Sequence, residues 1–181
     1  MDIVKFFKKN KIKIRSLDKN DLRDVQKFQK FINSLIKEGA QILYDRKFSL
    51  QEEKEWLRGE LSKIRKNKAV YLVAEDDNRI IGTAGISLRT GRQIHVGEFG
   101  ITIKKAYRGM GLGSYLITEI MKSAKKVLKP RPRFFRISVF STNKPAIGLY
   151  KKQGFKKVAQ VTKQVRYGGK LVDEIIMVYE L

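Results

Sequence analysis

The chain contains no cysteine and a single histidine, His95. Without Cys there is no disulfide and no thiolate metal site, and one His is too few for a histidine metal cluster. A lone His also argues against a Ser-His-Asp relay. Proline is scarce: Pro130, Pro132 and Pro145 all lie in the C-terminal half. No apolar run approaches the ~18 residues that a bilayer-spanning helix needs. Residues Met1 to Lys9 are too short and too interrupted by charge for a signal peptide. The expectation is a cytoplasmic protein with no membrane association and no metal. Acids are in short supply too, with 18 Asp plus Glu against 40 Lys plus Arg, a formal net charge of +22.

What is present fits one folded unit spanning residues 1–181. Hydrophobic residues make up 42% of the sequence and include ten Phe, enough for a core in a chain of 181 residues. The positive balance attracts phosphates, nucleic acid and acidic surfaces. The basic residues are scattered, however, and neither a zinc finger nor an RNA-binding aromatic motif accompanies them. Solubility and surface ion pairing account for most of the charge, with non-specific nucleic-acid contact as its cost. Composition leaves a homo-oligomer open.

The patterning predicts a mixed α/β order, β-α-α-β-β-β-α-β-α-β-β. Lys11–Leu17 alternates as a strand, and Asp18 caps a helix whose apolar stripe runs Leu22, Val25, Phe28, Phe31, Ile32, Leu35 and Ile36. Ser49 and Glu52 form a capping box for a second helix, roughly Leu50–Lys66. Ala69–Glu75 and Arg79–Leu88 read as a hairpin, followed by a strand His95–Ile103 in which Gly97 and Gly100 suggest a bulge or a close ligand. Gly111–Leu128 is an amphipathic helix stopped by Pro130. Phe134–Phe140 is a strand, Lys144–Gln153 a helix ended by Gly154, and Val158–Val165 with Leu171–Tyr179 a closing hairpin.

Two segments carry chemistry. The first is Arg108-Gly109-Met110-Gly111-Leu112-Gly113-Ser114, between a strand and a helix. Amides at a helix N-terminus have no partner within the helix and point along its positive end, while glycines remove the Cβ atoms that would hold phosphate oxygens away. A nucleotide P-loop would need Gly-Lys-Ser/Thr, and Gly113 is followed by Ser114-Tyr115. A dinucleotide fingerprint would need a third glycine where Ser114 stands and a later acid, where this chain has Lys129, Arg131 and Arg133. The second segment runs Asn143-Lys144-Pro145-Ala146-Ile147-Gly148-Leu149-Tyr150-Lys151-Lys152-Gln153-Gly154-Phe155.

Together these segments resemble the cofactor signature of the GNAT superfamily of acetyl-CoA-dependent N-acetyltransferases. The resemblance implies a mostly antiparallel sheet flanked by helices, and acetyl-CoA as cosubstrate on Arg108, Gly109, Met110, Gly111, Leu112, Gly113 and Ser114. It implies that Ile101, Thr102 and Ile103 offer main-chain groups to the pantetheine arm and that Asn143 bonds it. Tyr150 would then be the general acid for the leaving thiolate. In bacterial ribosomal-protein alanine acetyltransferases a Glu occupies the place of Ser138. The expected substitute base is Glu98, which shares a strand face with Val96, Gly100 and Thr102; Glu75 is a weaker candidate. Glu38, Asp45, Glu52, Glu53 and Glu55 give the acceptor side local acids. A protein or peptide amine is the expected acceptor. A small amine (polyamine or antibiotic) is the alternative, and a non-catalytic basic nucleic-acid module the reading of another class.

Overall fold

The computed structural model describes residues 2–181. Eight strands form one sheet in the order β1-β2-β3-β4-β5-β6-β8-β7. The N-terminal hairpin pairs β1 (Asp2–Phe7) with β2 (Asn10–Ser16) through a turn in which Lys8 takes φ 52°. Strand β1 extends the expected order by one element. It is an edge strand with Val4 and Phe6 exposed, so it lacks the inside–outside contrast that marks a half-buried strand.

The expected first helix is divided. Asp18 caps only a short 3₁₀ turn, Lys19–Arg23, where Asp21 supplies the reciprocal half of a capping box. Helix α1 (Val25–Lys37) starts afresh after Asp24. Helix α2 (Leu50–Arg65) begins at the predicted box, with the Ser49 hydroxyl accepting from the Glu52 amide and the Glu52 carboxylate accepting from the Ser49 amide. Strands β3 (Ala69–Asp76) and β4 (Arg79–Leu88) meet at a turn where Asp77 and Asn78 both have positive φ, as a tight hairpin requires.

Strand β5 (Val96–Ile103) pairs with β4 without interruption from Leu88↔Gly97 to Gly82↔Ile103. The expected bulge at Gly97 and Gly100 is therefore absent. Gly97 is required for packing: a Cβ there would lie 2.7 Å from Ile86 and 2.9 Å from Phe135. His95 sits just before the strand, its ring 6.2 Å from that of Phe134. Helix α3 (Leu112–Val127), strand β6 (Phe134–Phe140), helix α4 (Lys144–Lys152) and the hairpin β7 (Lys156–Tyr167) and β8 (Lys170–Glu180) complete the chain. Strand β8 lies between β6 and β7, antiparallel to both.

The sheet has two covered faces. Helix α3 presents Leu112, Leu116, Ile117, Ile120 and Ala124 to one of them, where Ile86, Phe99, Phe135, Ile137, Tyr150 and Phe155 join the same core. Helices α1 and α2 cover the other through Phe28, Phe31, Leu35 and Leu57 against Val73 and Ile80. Strands β5 and β6 run parallel but pair only at Val96↔Phe134, Gly97↔Phe135 and Glu98↔Arg136. Beyond Glu98 each stays with its other neighbour, β5 with β4 and β6 with β8, so a wedge opens in the middle of the sheet.

On the α1/α2 face a buried ionic cluster ties β2, β3 and the 3₁₀ turn together. Arg15 donates to Asp21 at 2.7 and 3.0 Å and to Glu75 at 2.8 and 3.1 Å. Burial pulls the guanidinium pKa down, but the hydrogen bonds to Asp21 and Glu75 outweigh it and raise it above its ordinary value. Glu75 is thus committed to structure and is removed from the candidates for a base. Deleting the cation would leave two nearly buried carboxylates uncompensated. Arg15→Leu is expected to cost ~3–5 kcal/mol of unfolding free energy in urea titrations, whereas exchange of the exposed Arg79, paired at 3.7 Å with Asp77, should cost under ~1 kcal/mol.

Candidate active site

The wedge ends at the glycine loop. Gly109 and Gly111 take φ 71° and 91°, and Gly111 is the N-cap of α3. A Cβ at either would meet nothing within 4 Å, so both face open space. Among the described residues, none of the amides from Gly109 through Ser114 donates to a protein acceptor; the first that does is Tyr115, to Gly111 at 3.1 Å. Successive unpartnered N–H groups at a helix N-terminus form an anion cradle. The side chains around it hold the loop down. Leu112 is fully buried, Met110 packs on the core, and Asn10 donates to the Met110 sulfur at 3.7 Å.

Two residues implied as cofactor contacts also have structural tasks. The Arg108 Nε donates to the Ile103 carbonyl at 2.7 Å and its Nη2 donates to Glu38. Glu38 also accepts from the Lys105 amide at 3.2 Å. Arg108 therefore fixes the loop to the end of β5 and to the C-terminus of α1. Gly113 serves packing: its Cβ would lie 3.0 Å from Leu149 of α4.

Along β5, Ile101 and Ile103 pack against the α3 core, while the Thr102 hydroxyl lies 2.9 Å from that of Thr83. Their main chain bonds to β4 on one side and borders the wedge on the other. Asn143 caps α4, accepting from the Ala146 amide at 3.3 Å through Oδ1 and keeping its NH₂ group unengaged. The Tyr150 ring is 5% exposed and packs edge-on to Phe99 at 6.2 Å. Its hydroxyl has no protein partner, yet no partnerless side-chain oxygen among the described residues is sealed from solvent. Burial raises the phenol pKa and keeps it protonated.

Glu98 lies on the α1/α2 face with Gly100 and Thr102, as expected, but its carboxylate is occupied. It accepts from Arg136 at 3.0 and 3.2 Å and pairs with Arg89 at 2.9 Å. Ser138 alternates with the core residues Ile137 and Val139 and so shares that face. Of the acids expected to greet an acceptor, Glu38 is used by the loop and Glu55 accepts from Gln51 at 2.6 Å. Glu52 is held down to about 2, first by Arg46 and then by its cap to Ser49.

Glu53 is different. It is 6% exposed on the sheet-facing side of α2 and has no hydrogen-bond or ion-pair partner among the described residues. Desolvation pushes its carboxyl up to about 7. The sequence signal was a helix stripe in which Glu53 and Glu60 flank Leu57 at positions that should be apolar.

Residues 33–155 match the acetyltransferase (GNAT) family, so the chain belongs to that family. An N-alpha-acetyltransferase of Sulfurisphaera tokodaii is 30% identical over 106 residues, 52% of this chain and 61% of that protein. The L-amino acid N-acetyltransferase AaaT of Escherichia coli is 32% identical over 107 residues, 59% of this chain and 65% of that protein. The chain thus spans less than two thirds of the length of these curated relatives. The structure of yncA from Salmonella typhimurium, solved with its cofactor acetyl-CoA, superposes with TM-score 0.77 at 22% identity, covering 94% of both chains.

The Glu53 environment gives a pH signature. Unfolded chain releases this proton near the ordinary 4.5, and folded protein only near 7, so the native state holds the extra proton between those values. Its contribution to stability therefore falls as pH rises through that window and is flat above it. Glu53→Gln should melt at the same temperature as the parent at pH 4 and at a higher one at pH 8, measured by scanning calorimetry.

Proposed function

We propose that the protein moves the acetyl group of acetyl-CoA to a primary amine of a protein or peptide, either an N-terminal α-amine or a lysine, by direct attack in a ternary complex. The observation that carries this reading is the run of unpartnered amides from Gly109 to Ser114 at the mouth of the wedge. Those amides would hold the pyrophosphate. The free edge of Ile101–Ile103 and the Asn143 NH₂ group would hold the pantetheine arm between them. The acetyl-CoA complex of the Salmonella protein supports the same ligand for this fold.

In this reading Tyr150 serves the leaving group. Attack by the amine nitrogen on the thioester carbon breaks the carbon–sulfur bond, and the thiolate takes its proton from the phenol. A tyrosine kept neutral by burial, with its hydroxyl unengaged, suits that task. Glu98, proposed from sequence as the base, has both oxygens engaged by arginines; its part is better placed in holding β5 to β6 at the wedge apex. A peptide acceptor is supported by the α1–α2 loop, where Leu43 and Tyr44 stand exposed. A small amine is the alternative, which the likeness to the L-amino acid N-acetyltransferase AaaT supports, and an acceptor panel distinguishes the two.

Two variants test the assignment. Gly111→Val forces a β-branched residue into φ 91° and fills the cradle, so it should abolish acetyl-CoA binding in calorimetry while leaving the circular dichroism unchanged; undiminished affinity would remove the cradle from the account. Tyr150→Phe retains the ring contacts with Phe99 and should lower kcat by ~10²–10⁴-fold with little change in acetyl-CoA affinity. Parental turnover in that variant would reduce Tyr150 to a packing residue.

A further inference from the structure

Among the described residues four carboxyl side chains are buried, and all lie on the α1/α2 side of the sheet: Asp21, Glu53, Glu60 and Glu75. Asp21 and Glu75 share Arg15. Glu60 accepts from Lys63 at 2.6 Å and from Ser87 at 3.3 Å. Glu53 alone has no compensating partner among the described residues. An isolated buried carboxyl is costly, so structural economy does not explain it. Its oxygens are also not sealed off, because no partnerless oxygen among the described residues is. The group therefore ends in an opening.

Glu53 lies within electrostatic reach of Tyr71 on β3, as do Glu60 and Tyr44. The Tyr71 ring lies flat over Gly85: a Cβ at Gly85 would come within 2.5 Å of it. Gly85 pairs with Gly100, where a Cβ would meet nothing within 4 Å. Gly100 is just past Glu98, where the β5–β6 ladder ends, and just before Ile101. The Tyr71 ring over Gly85 thus stands between Glu53 and the open space at Gly100, with β3 about two strand spacings or ~10 Å from the β5 edge where the thioester would lie. The Trp56 ring lies 5.4 Å from that of Tyr71.

We propose that Glu53 is the acceptor-side carboxylate, which draws the ammonium of the incoming amine to the α1/α2 side of the wedge and takes its proton, through water, before attack. The proposal rests on the acetyltransferase reading above. The proton balance closes. The ammonium gives one proton to Glu53 and becomes a free amine, which forms the carbon–nitrogen bond as the carbon–sulfur bond breaks. Tyr150 protonates the thiolate and recovers a proton from the new amide nitrogen, so one proton remains on Glu53 and leaves through the opening. The carboxyl at about 7 is matched to such a transfer near neutrality. It also answers a problem of charge: a cationic acceptor approaching a chain of +22 needs a local negative site.

The test measures thiol release from acetyl-CoA over a panel of unblocked peptides, a lysine peptide and spermidine, for the parent, Glu53→Gln and Glu53→Asp. Acetyl-CoA affinity is measured in parallel by calorimetry. Glu53→Gln should bind acetyl-CoA within about twofold of the parent and lose ~10²-fold or more in kcat/KM for its best acceptor, with Glu53→Asp recovering part of the rate. A purely structural carboxyl would show neither the loss nor the recovery, since Gln fits the same space. Equal turnover by the parent and Glu53→Gln would overturn the role of Glu53 and leave the acetyltransferase reading standing. Absence of turnover by the parent on every acceptor would overturn both.

Discussion

The site exists because two parallel strands pair for three residues and then part. At the apex the Glu98–Arg136 pair sits beside Gly97, whose missing Cβ lets Ile86 and Phe135 close over the sheet. Past that point, helix α4 pushes Tyr150 and Gly154-Phe155 beneath β5, with the rings of Tyr150 and Phe155 about Phe99 at 6.2 and 5.9 Å. Meanwhile β6 is drawn the other way by its full-length ladder with β8. Unpaired strand edges inside a sheet are expensive unless something bonds to them. An extended amide-bearing arm of a cosubstrate would bond there as a strand would.

The two faces of the sheet divide the electrostatics. The α3/α4 side offers neutral donors: the amides of Gly109–Ser114, the Asn143 NH₂ and the Tyr150 hydroxyl. The α1/α2 side collects every buried carboxyl among the described residues, four in all. In a chain with 40 basic residues against 18 acids this segregation is not a product of composition. Three of the four are held by Arg15, Lys63 and Ser87, which explains their burial. The fourth, Glu53, has no counter-charge among the described residues. A polyanionic cosubstrate and a cationic acceptor, as proposed, would thus each meet a complementary environment on opposite faces of the sheet.

The parts of the molecule legible in the sequence are those where the backbone makes a local demand. Positive φ at Gly109, Gly111 and Gly154, the Ser49–Glu52 box and the Asp77-Asn78 turn each need particular residues at fixed spacing, so the spacing could be read. Helix and strand faces followed from periodicity for the same reason. What escaped depends on partners far away in the chain. Asp18 reads as the cap of one long helix, yet the turn it caps ends at Arg23, with its Asp21 joined through Arg15 to Glu75, and α1 begins anew. Strand β1 gave no alternating signal because it is an edge. Glu98 stood correctly on its face, but nothing local announces Arg89 and Arg136, and Arg108 looked free for a ligand because Glu38 is remote in sequence.

Glu53 marks the limit of that reading most sharply. As one acid among five in its region it was set apart only by its place in the α2 stripe beside Leu57, a signal it shares with Glu60, since charge on a helix is ordinarily solvated. Its distinction is a tertiary fact: α2 buries it on the side of Tyr71, with no cation paired to it among the described residues. Glu60, two turns further along the same stripe, meets Lys63 and Ser87 and is satisfied. Two residues of one type on one helix face therefore diverge because their surroundings differ: Glu60 finds Lys63 on its own helix and Ser87 on β4, while Glu53 finds neither a cation nor a donor among the described residues.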